Sequence, residues 1–205
     1  MHLANQLTLL RIGLVPILIL FMYPDNLWTR ICALLIFVAA ALTDLYDGWI
    51  ARRQHTVTTL GIFLDPLADK LLMSAAFISF VGLKELHIPA WMVIIITSRE
   101  FIITGLRSMA ATRNVVIAAS KSGKVKTTSQ IVAAILLLLV LIVNSALWNF
   151  AGLRPIYFLA SSGLPYLFGW CLVKLPYWLM LVTTILTVYS GILYLREHRD
   201  LLKEK

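Results

Sequence analysis

Residues 44–69 read DLYDGWIARRQHTVTTLGIFLDPLAD and join two strongly apolar segments of the chain. The stretch carries two aspartate pairs, Asp44 with Asp47 and Asp65 with Asp69. On a helix, these spacings of three and four residues place both carboxylates of a pair on one face. An aspartate at the centre of a bilayer-spanning helix costs roughly 2.5–3.5 kcal/mol, so four of them are not expected to face lipid. We expect them to converge on one another, on water or on a divalent cation, because hard cations bind acidic oxygens.

The composition around this stretch is that of a membrane protein. Of the 205 residues, 60% are hydrophobic, whereas soluble domains contain about 45–50% apolar residues. Apolar runs close to the roughly 20 residues that span a bilayer predict six helices. They lie near 7–23, 28–50, 60–83, 90–112, 123–146 and 176–196. We therefore predict an all-α integral membrane protein with six transmembrane helices that form a single domain over residues 1–205.

Two segments are harder to assign. Residues 148–176 are rich in aromatic side chains and are broken by Pro155, Gly163, Pro165 and Gly169. A re-entrant or interfacial hairpin and a seventh span both stay open for this segment. The N-terminal sequence MHLANQLTLLR is mildly amphipathic, which is compatible with an interfacial segment before the first span.

The distribution of positive charge predicts the orientation and the partners. The net charge is +8, and Lys and Arg concentrate in the second and fourth connections and in the C-terminal tail. The positive-inside rule then places both termini and the acidic stretch on the cytoplasmic side of the cell's inner membrane. Because the basic residues flank apolar spans and no nucleic-acid-binding motif accompanies them, we expect membrane lipids and phosphate-bearing substrates as partners, and no nucleic acid.

Small and basic residues accompany the aspartates. Gly48 and Ala51 share the helix face of the first pair, which lets a bulky ligand approach the backbone. Arg52, one turn further, is suited to bind a phosphate bidentately. With Gly61 the spacing becomes D-x2-D-G-x2-A-R-x8-G-x3-D-x3-D. This pattern resembles the signature of the CDP-alcohol phosphatidyltransferase family.

The resemblance implies a membrane enzyme with the CDP-alcohol phosphotransferase fold. Members of the family transfer a phosphatidyl or similar group from a CDP-linked donor to an alcohol and release CMP. The resemblance implies that the four aspartates bind two divalent cations, Mg²⁺ or Mn²⁺, and that Asp69 takes the proton of the acceptor hydroxyl. It assigns Gly48, Ala51, Arg52 and Gly61 to the CDP site. Two such cations about 3.5–4 Å apart can stabilise both the attacking and the leaving oxygens of a phosphoryl transfer.

The resemblance implies two further features. The segment NQLTLLR, residues 5–11, is similar to the family's N-terminal pattern, which adds Asn5 to the CDP site. An alternative interpretation is that Asn5 and Thr8 mark the start of a helix. Because the family commonly forms homodimers, a homodimer is also expected.

A second group of polar residues occupies SREFIITGLR at 98–107 and KSGKVKT at 121–127. Arg99 and Arg107 lie two turns apart and project from roughly the same helix face. Two guanidinium groups in an apolar span need anions, and Glu100 supplies only part of that charge. These segments, together with SGILY at 190–194, resemble those of bacterial family members whose acceptor is sn-glycerol 3-phosphate.

The phosphate of that acceptor would supply the missing anion. We expect Arg99, Arg107 and Lys124 to hold it, with Thr58 and Tyr194 as further candidates. A tyrosine at a membrane interface is otherwise most often part of an aromatic belt. The predicted reaction joins CDP-diacylglycerol and sn-glycerol 3-phosphate to give phosphatidylglycerol phosphate and CMP.

Three alternatives are weaker. The acceptor could be inositol phosphate, serine or phosphatidylglycerol, although a neutral alcohol would leave Arg99 and Arg107 without an anion. A divalent-cation transporter could use the same aspartates, but it needs no glycine-lined face with an arginine beside it. Buried ion pairs of the aspartates with Lys70, Arg99 or Arg107 would not explain two acidic pairs beside small residues.

Overall fold

The computed structural model describes the backbone of residues 3–54, 59–112 and 121–197, and the side chains of 9–43, 68, 70–110 and 126–197. Over these residues the chain forms six α-helices, which confirms the all-α prediction. They are α1 (Leu3–Met22), α2 (Leu27–Gln54), α3 (Thr59–Gly82), α4 (Ala90–Thr112), α5 (Lys121–Ala151) and α6 (Leu164–Glu197). A first 3₁₀ turn covers Lys84–Leu86, and a second covers Pro155–Ala160.

The outer surface of the bundle is apolar, as expected of a membrane protein. Within the described residues, the segments Lys126–Ala151 of α5 and Leu164–Glu197 of α6 are long and apolar enough to cross a membrane. Shorter apolar stretches occupy parts of α1, α2 and α3. Large exposed side chains such as Leu20, Leu35 and Ile78 give α1, α2 and α3 lipid-compatible faces. Six complete spans stay a prediction.

The sixth helix begins earlier than predicted. It starts at Leu164 rather than near residue 176 and continues through Pro176. Its 34 residues extend about 51 Å, which exceeds the roughly 30 Å hydrocarbon core of a bilayer. The prediction treated Pro165 and Gly169 as breaks, but both lie inside α6. Pro165 is in the first turn, where a helix tolerates proline.

Residues 148–176 form no seventh span. Helix α5 continues to Ala151, and the second 3₁₀ turn folds back against the start of α6. A Cβ atom added to Gly169 would lie 2.6 Å from Phe158 Cβ and 2.7 Å from the Pro155 carbonyl oxygen, so only glycine allows this close approach. At the N-terminus, α1 is unbroken from Leu3 to Met22, so no separate interfacial segment precedes it within the described residues.

The six helices share one apolar core. It includes side chains from every helix: Leu18, Phe37, Phe77, Met92, Leu137 and Met180. This continuity supports the proposal of a single domain. The connections 23–26, 83–89 and 152–163 meet at one end of the bundle, which we call the loop end. Because consecutive helices alternate in direction, the aspartates of α2 and α3 lie toward the opposite end, called here the motif end.

Candidate active site

The two aspartate pairs lie on consecutive helices. Asp44 and Asp47 belong to α2, and Asp65 and Asp69 belong to α3, so both pairs have the helical spacing that places them on one face. Their side chains lie outside the described residues, and their convergence stays a prediction. Among the side chains that the structure does describe, no three His, Cys, Asp or Glu residues form a group able to hold a metal ion.

Most other residues predicted to contact CDP or the acceptor also lie in helical segments of which the structure describes the backbone but not the side chains. These are Asn5 on α1, Gly48, Ala51 and Arg52 on α2, Gly61 on α3 and Lys124 on α5. Thr58 lies outside the described residues altogether. Because α1 already begins at Leu3, Asn5 and Thr8 lie inside the helix, and the interpretation of these two residues as its start is wrong.

Glu100 on α4 is the centre of a buried polar cluster, which we call the Glu100 cluster. Lys70 of α3 places its Nζ atom 2.7 Å from Glu100 Oε2, and Lys126 of α5 pairs with Oε1. Arg99 Nη1 lies 3.3 Å from the same Oε1 atom. Gln130 Nε2 donates to it at 3.4 Å. Among the described side chains, the Glu100 carboxylate therefore faces three cationic groups that come from three helices.

Helix α6 fixes the position of Arg99. Its Nη2 atom donates to Ser190 Oγ at 3.0 Å. A Cβ atom on Gly191 would lie 3.1 Å from Arg99 Cγ, so the glycine makes room for the arginine stem. The Nε atom of Arg99 is buried and has no hydrogen-bond partner among the described residues. The guanidinium group is thus held on two sides while one N–H donor is unsatisfied.

Arg107 and Tyr194 occupy different surroundings. Arg107 is exposed and forms no ion pair with the described members of the Glu100 cluster. The offset of eight residues from Arg99 to Arg107 corresponds to about 80° beyond two full turns, and this rotation turns Arg99 inward and Arg107 outward. Tyr194 is only 3% exposed, so it is not part of a lipid-facing aromatic belt.

The sequence alone does not predict the parts played by Lys126 and Gln130. Lys126 stands beside Lys124 in a basic segment, where the positive-inside rule already accounts for both. The four-residue spacing of Lys126 and Gln130 is the one available signal, because it places these two polar side chains on a single face of an otherwise apolar helix. Nothing in that spacing identifies Glu100 as their common partner.

Comparisons with known proteins agree with the motif. The CDP-alcohol phosphatidyltransferase family model matches residues 1–189, which include both aspartate pairs and the Arg99–Glu100 pair. A Bacillus subtilis CDP-diacylglycerol–glycerol-3-phosphate 3-phosphatidyltransferase is 45% identical over 144 residues, covering 64% of this chain and 74% of the relative. The Escherichia coli K12 protein of the same name is 36% identical over 167 residues, covering 78% and 87%. A Rickettsia felis protein, also so named, is 39% identical over 132 residues, covering 64% and 72%.

Proposed function

The chain belongs to the CDP-alcohol phosphatidyltransferase family, and on that premise we propose that it transfers the phosphatidyl group from CDP-diacylglycerol to sn-glycerol 3-phosphate. The products are phosphatidylglycerol phosphate and CMP, which makes the protein an enzyme of phospholipid biosynthesis. The shared name of bacterial relatives at 36–45% identity supports this acceptor. The structural observation that carries it is the buried Nε atom of Arg99, which has no hydrogen-bond partner among the described residues and lies beside Glu100 and its cationic partners.

A phosphorylated acceptor fits the charge of the Glu100 cluster. Buried charges are costly unless they are paired and hydrogen-bonded. An acceptor phosphate would pair with the cationic groups of the cluster and accept the Nε–H of Arg99, whereas an alcohol without an anionic group would do neither. We propose that the phosphate-binding residues are those predicted from the sequence. They are Arg99, Arg107, Lys124, Thr58 and Tyr194.

We also propose that the four aspartates hold two divalent cations, Mg²⁺ or Mn²⁺. Four carboxylate-bearing residues on two consecutive helices form a donor set of hard oxygens, which suits either ion. When bound, such cations stabilise the negative charge that builds up on the oxygens around phosphorus. Asn5, Gly48, Ala51, Arg52 and Gly61 are proposed to bind the CDP moiety.

Asp69 is the proposed base. It directly precedes Lys70, whose ammonium group is bound by Glu100, so the backbone of Asp69 lies next to the proposed acceptor site. The glycerol hydroxyl attacks the β-phosphorus of CDP-diacylglycerol and gives its proton to the Asp69 carboxylate. The bond between that phosphorus and the bridging oxygen breaks, and CMP leaves with the oxygen.

We propose the orientation of the protein in the membrane from the positive-inside rule. Six spans would place the motif end on the cytoplasmic side of the inner membrane, where CDP and sn-glycerol 3-phosphate have access from water. The acyl chains would stay in the lipid. A homodimer is proposed from the family alone.

The experiment is an assay of CMP release by the purified chain with CDP-diacylglycerol and Mg²⁺. We expect release with sn-glycerol 3-phosphate and none with serine, inositol phosphate or phosphatidylglycerol. Release that is indifferent to the acceptor, or absent with every acceptor, would remove the assignment. Uptake of Mg²⁺ into vesicles without any CMP release would instead favour a transporter.

A further inference from the structure

A cavity of 270 Å³ lies at the loop end, between α5, α6 and the two 3₁₀ turns. It lies far from the proposed catalytic residues. Lys124 and Asn144 are twenty residues apart on α5, so the cavity lies about 30 Å along the helix from the proposed acceptor site. None of its lining residues belongs to the acidic stretch or to the Glu100 cluster. Its chemistry therefore needs a separate explanation.

Asn144 supplies the polar group of the cavity wall. Its side chain is 4% exposed, and its Oδ1 atom has no hydrogen-bond partner among the described residues. A buried amide without a partner is costly, and native structures usually satisfy it with protein, water or a ligand. A hydroxyl group can donate to the amide oxygen or accept from the amide nitrogen, so it satisfies either orientation of the side chain.

The rim of the cavity carries positive charge. Lys84 is exposed and has no ion-pair partner among the described residues. The neighbouring carboxylate of Glu85 is already bound by Arg30 at 2.7 Å. Arg154 also lines the cavity while pairing with Asp25 at 2.6 Å. With three cations against two carboxylates, this region has one positive charge in excess, which favours an anion.

Apart from His87, the remaining wall is apolar and includes Ile156 of the second 3₁₀ turn and Leu172 and Val173 of α6. A polar floor, a positive rim and an apolar wall match the parts of an amphiphile. The volume lies just below the roughly 300–1,000 Å³ of pockets that enclose drug-sized ligands, so it holds a headgroup and not a whole lipid.

We propose that this cavity binds the headgroup of an anionic phospholipid that carries a headgroup hydroxyl. The phosphate lies against Lys84 and Arg154, the hydroxyl bonds to Asn144, and the acyl chains leave along Leu172 and Val173. Because the motif end is proposed to face the cytoplasm, the loop end would lie at the opposite membrane interface, at the level of the lipid headgroups.

The test is native mass spectrometry of the full chain in detergent, titrated with phosphatidylglycerol and, separately, with phosphatidylcholine. We expect K84A and N144L each to weaken retention of phosphatidylglycerol about fivefold or more, as loss of one charge or one hydrogen bond requires. Phosphatidylcholine should bind weakly and equally to all variants. The matched controls are K174A and N149L, because Lys174 and Asn149 are exposed near the loop end but do not line the cavity.

Equal retention of phosphatidylglycerol by K84A, N144L and their controls overturns the proposal. Binding of phosphatidylcholine to the wild type as tightly as phosphatidylglycerol overturns it as well. Displacement of phosphatidylglycerol by millimolar inorganic phosphate would assign the cavity to free phosphate and overturn the lipid. Lys84 lies on the surface, so K84A decides the matter even if N144L fails to fold. CMP release should be the same in K84A and the wild type, which keeps the result independent of the catalytic proposal.

Discussion

Side chains from four helices surround the Glu100 carboxylate or hold its cationic partners. Lys70, Arg99 and Lys126 come from α3, α4 and α5, and Ser190 of α6 holds the far side of the arginine. Removing one partner of a buried ionic group is strongly destabilising, because the other charge stays buried and unpaired. The acceptor phosphate, as proposed, would add an anion beside Arg99, whose buried Nε–H has no partner among the described residues.

Arg107 tests the acceptor site from its exposed side. R107A should raise the KM for sn-glycerol 3-phosphate by about tenfold or more, since a hydrogen bond between charged groups contributes about 1.5–3 kcal/mol. The KM for CDP-diacylglycerol should change little. Initial-rate kinetics with each substrate varied in turn would measure both constants.

The matched control for that variant is R196A, because Arg196 is an exposed arginine at the last turn of α6. It should leave both KM values at the wild-type level. If R107A also leaves them unchanged, the exposed position of Arg107 means that it does not bind the acceptor.

Asp69 tests the proposed base. D69N should lower kcat by about 10²-fold or more, the smallest contribution expected of a positioned base. CDP should still bind, because the other aspartates and the small residues of α2 are unchanged. Rates at saturating Mg²⁺ and CDP binding by calorimetry separate the two effects.

The comparison variant is D25N, which makes the same substitution at the loop end and should keep its turnover. Turnover by D69N at the wild-type rate would deny Asp69 the role of base.

At the scale of helices, the contact between α4 and α6 depends on one glycine. G191A would place a Cβ atom 3.1 Å from Arg99 Cγ, so either the arginine or α6 must shift. We expect a raised KM for sn-glycerol 3-phosphate and a nearly unchanged KM for CDP-diacylglycerol. Kinetics and thermal unfolding of both proteins would show the change.

G13A is the control for this substitution. A Cβ atom on Gly13 of α1 meets nothing within 4 Å among the described residues, so this alanine should preserve activity and, by helix propensity, stability. If G191A behaves like G13A, close packing at Gly191 does not position Arg99.

The elements that the sequence predicts well are those encoded by local pattern. Apolar runs of bilayer length predicted all six helices, because burial in lipid or protein requires a continuous apolar segment. The spacing of the aspartates placed each pair on one helix face for the same local reason. The start of α6 was predicted twelve residues late, because Pro165 and Gly169 indicate breaks that the helix accommodates.

Local sequence pattern could not predict the Glu100 cluster. Its members Lys70, Glu100 and Lys126, and Ser190, which binds Arg99, are separated from one another by at least 26 residues along the chain. Only the packing of four helices brings them together. The sequence predicted that Arg99 needs anions, but it did not predict that Lys70 and Lys126 would also pair with Glu100. A spacing rule describes neighbours on one helix and not partners on different helices.

For the whole molecule, polar groups divide between the two ends of an apolar bundle. At the loop end, Arg30 is 1% exposed and bonds to Glu85 and to the Leu141 carbonyl oxygen at 3.0 Å. Arg154 joins the third connection to the first through Asp25. These bonds tie together three connections that are distant in sequence. We infer that the loop end stabilises the helix arrangement while the motif end is proposed to carry the chemistry.

The stability of the loop end should depend on pH through Asp25. Partial burial raises the pKa of Asp25, but hydrogen bonds from Arg154 and Ser145 and the charges of Arg30 and Arg154 outweigh it and lower the pKa below its ordinary value of 3.8. A carboxyl whose pKa is lower in the folded state contributes stability above its unfolded pKa and loses it as pH falls. The contribution of Asp25 should therefore be complete at pH 7 and decline from about pH 4 downward.

D25N removes this contribution and should lower the Tm at pH 7 by about 2–6 °C, as expected for a charged hydrogen bond in a chain of this size. Near pH 3 the difference between D25N and the wild type should shrink, because the wild-type carboxyl is itself becoming protonated. Thermal unfolding in detergent between pH 3 and pH 7 measures both values, with E197Q as the control, since Glu197 is exposed at the end of α6. A Tm difference that stays constant across this pH range would mean that the charge of Asp25 does not stabilise the loop end. The ion pair of Arg30 with Glu85 would then hold the connections together without a contribution from Asp25.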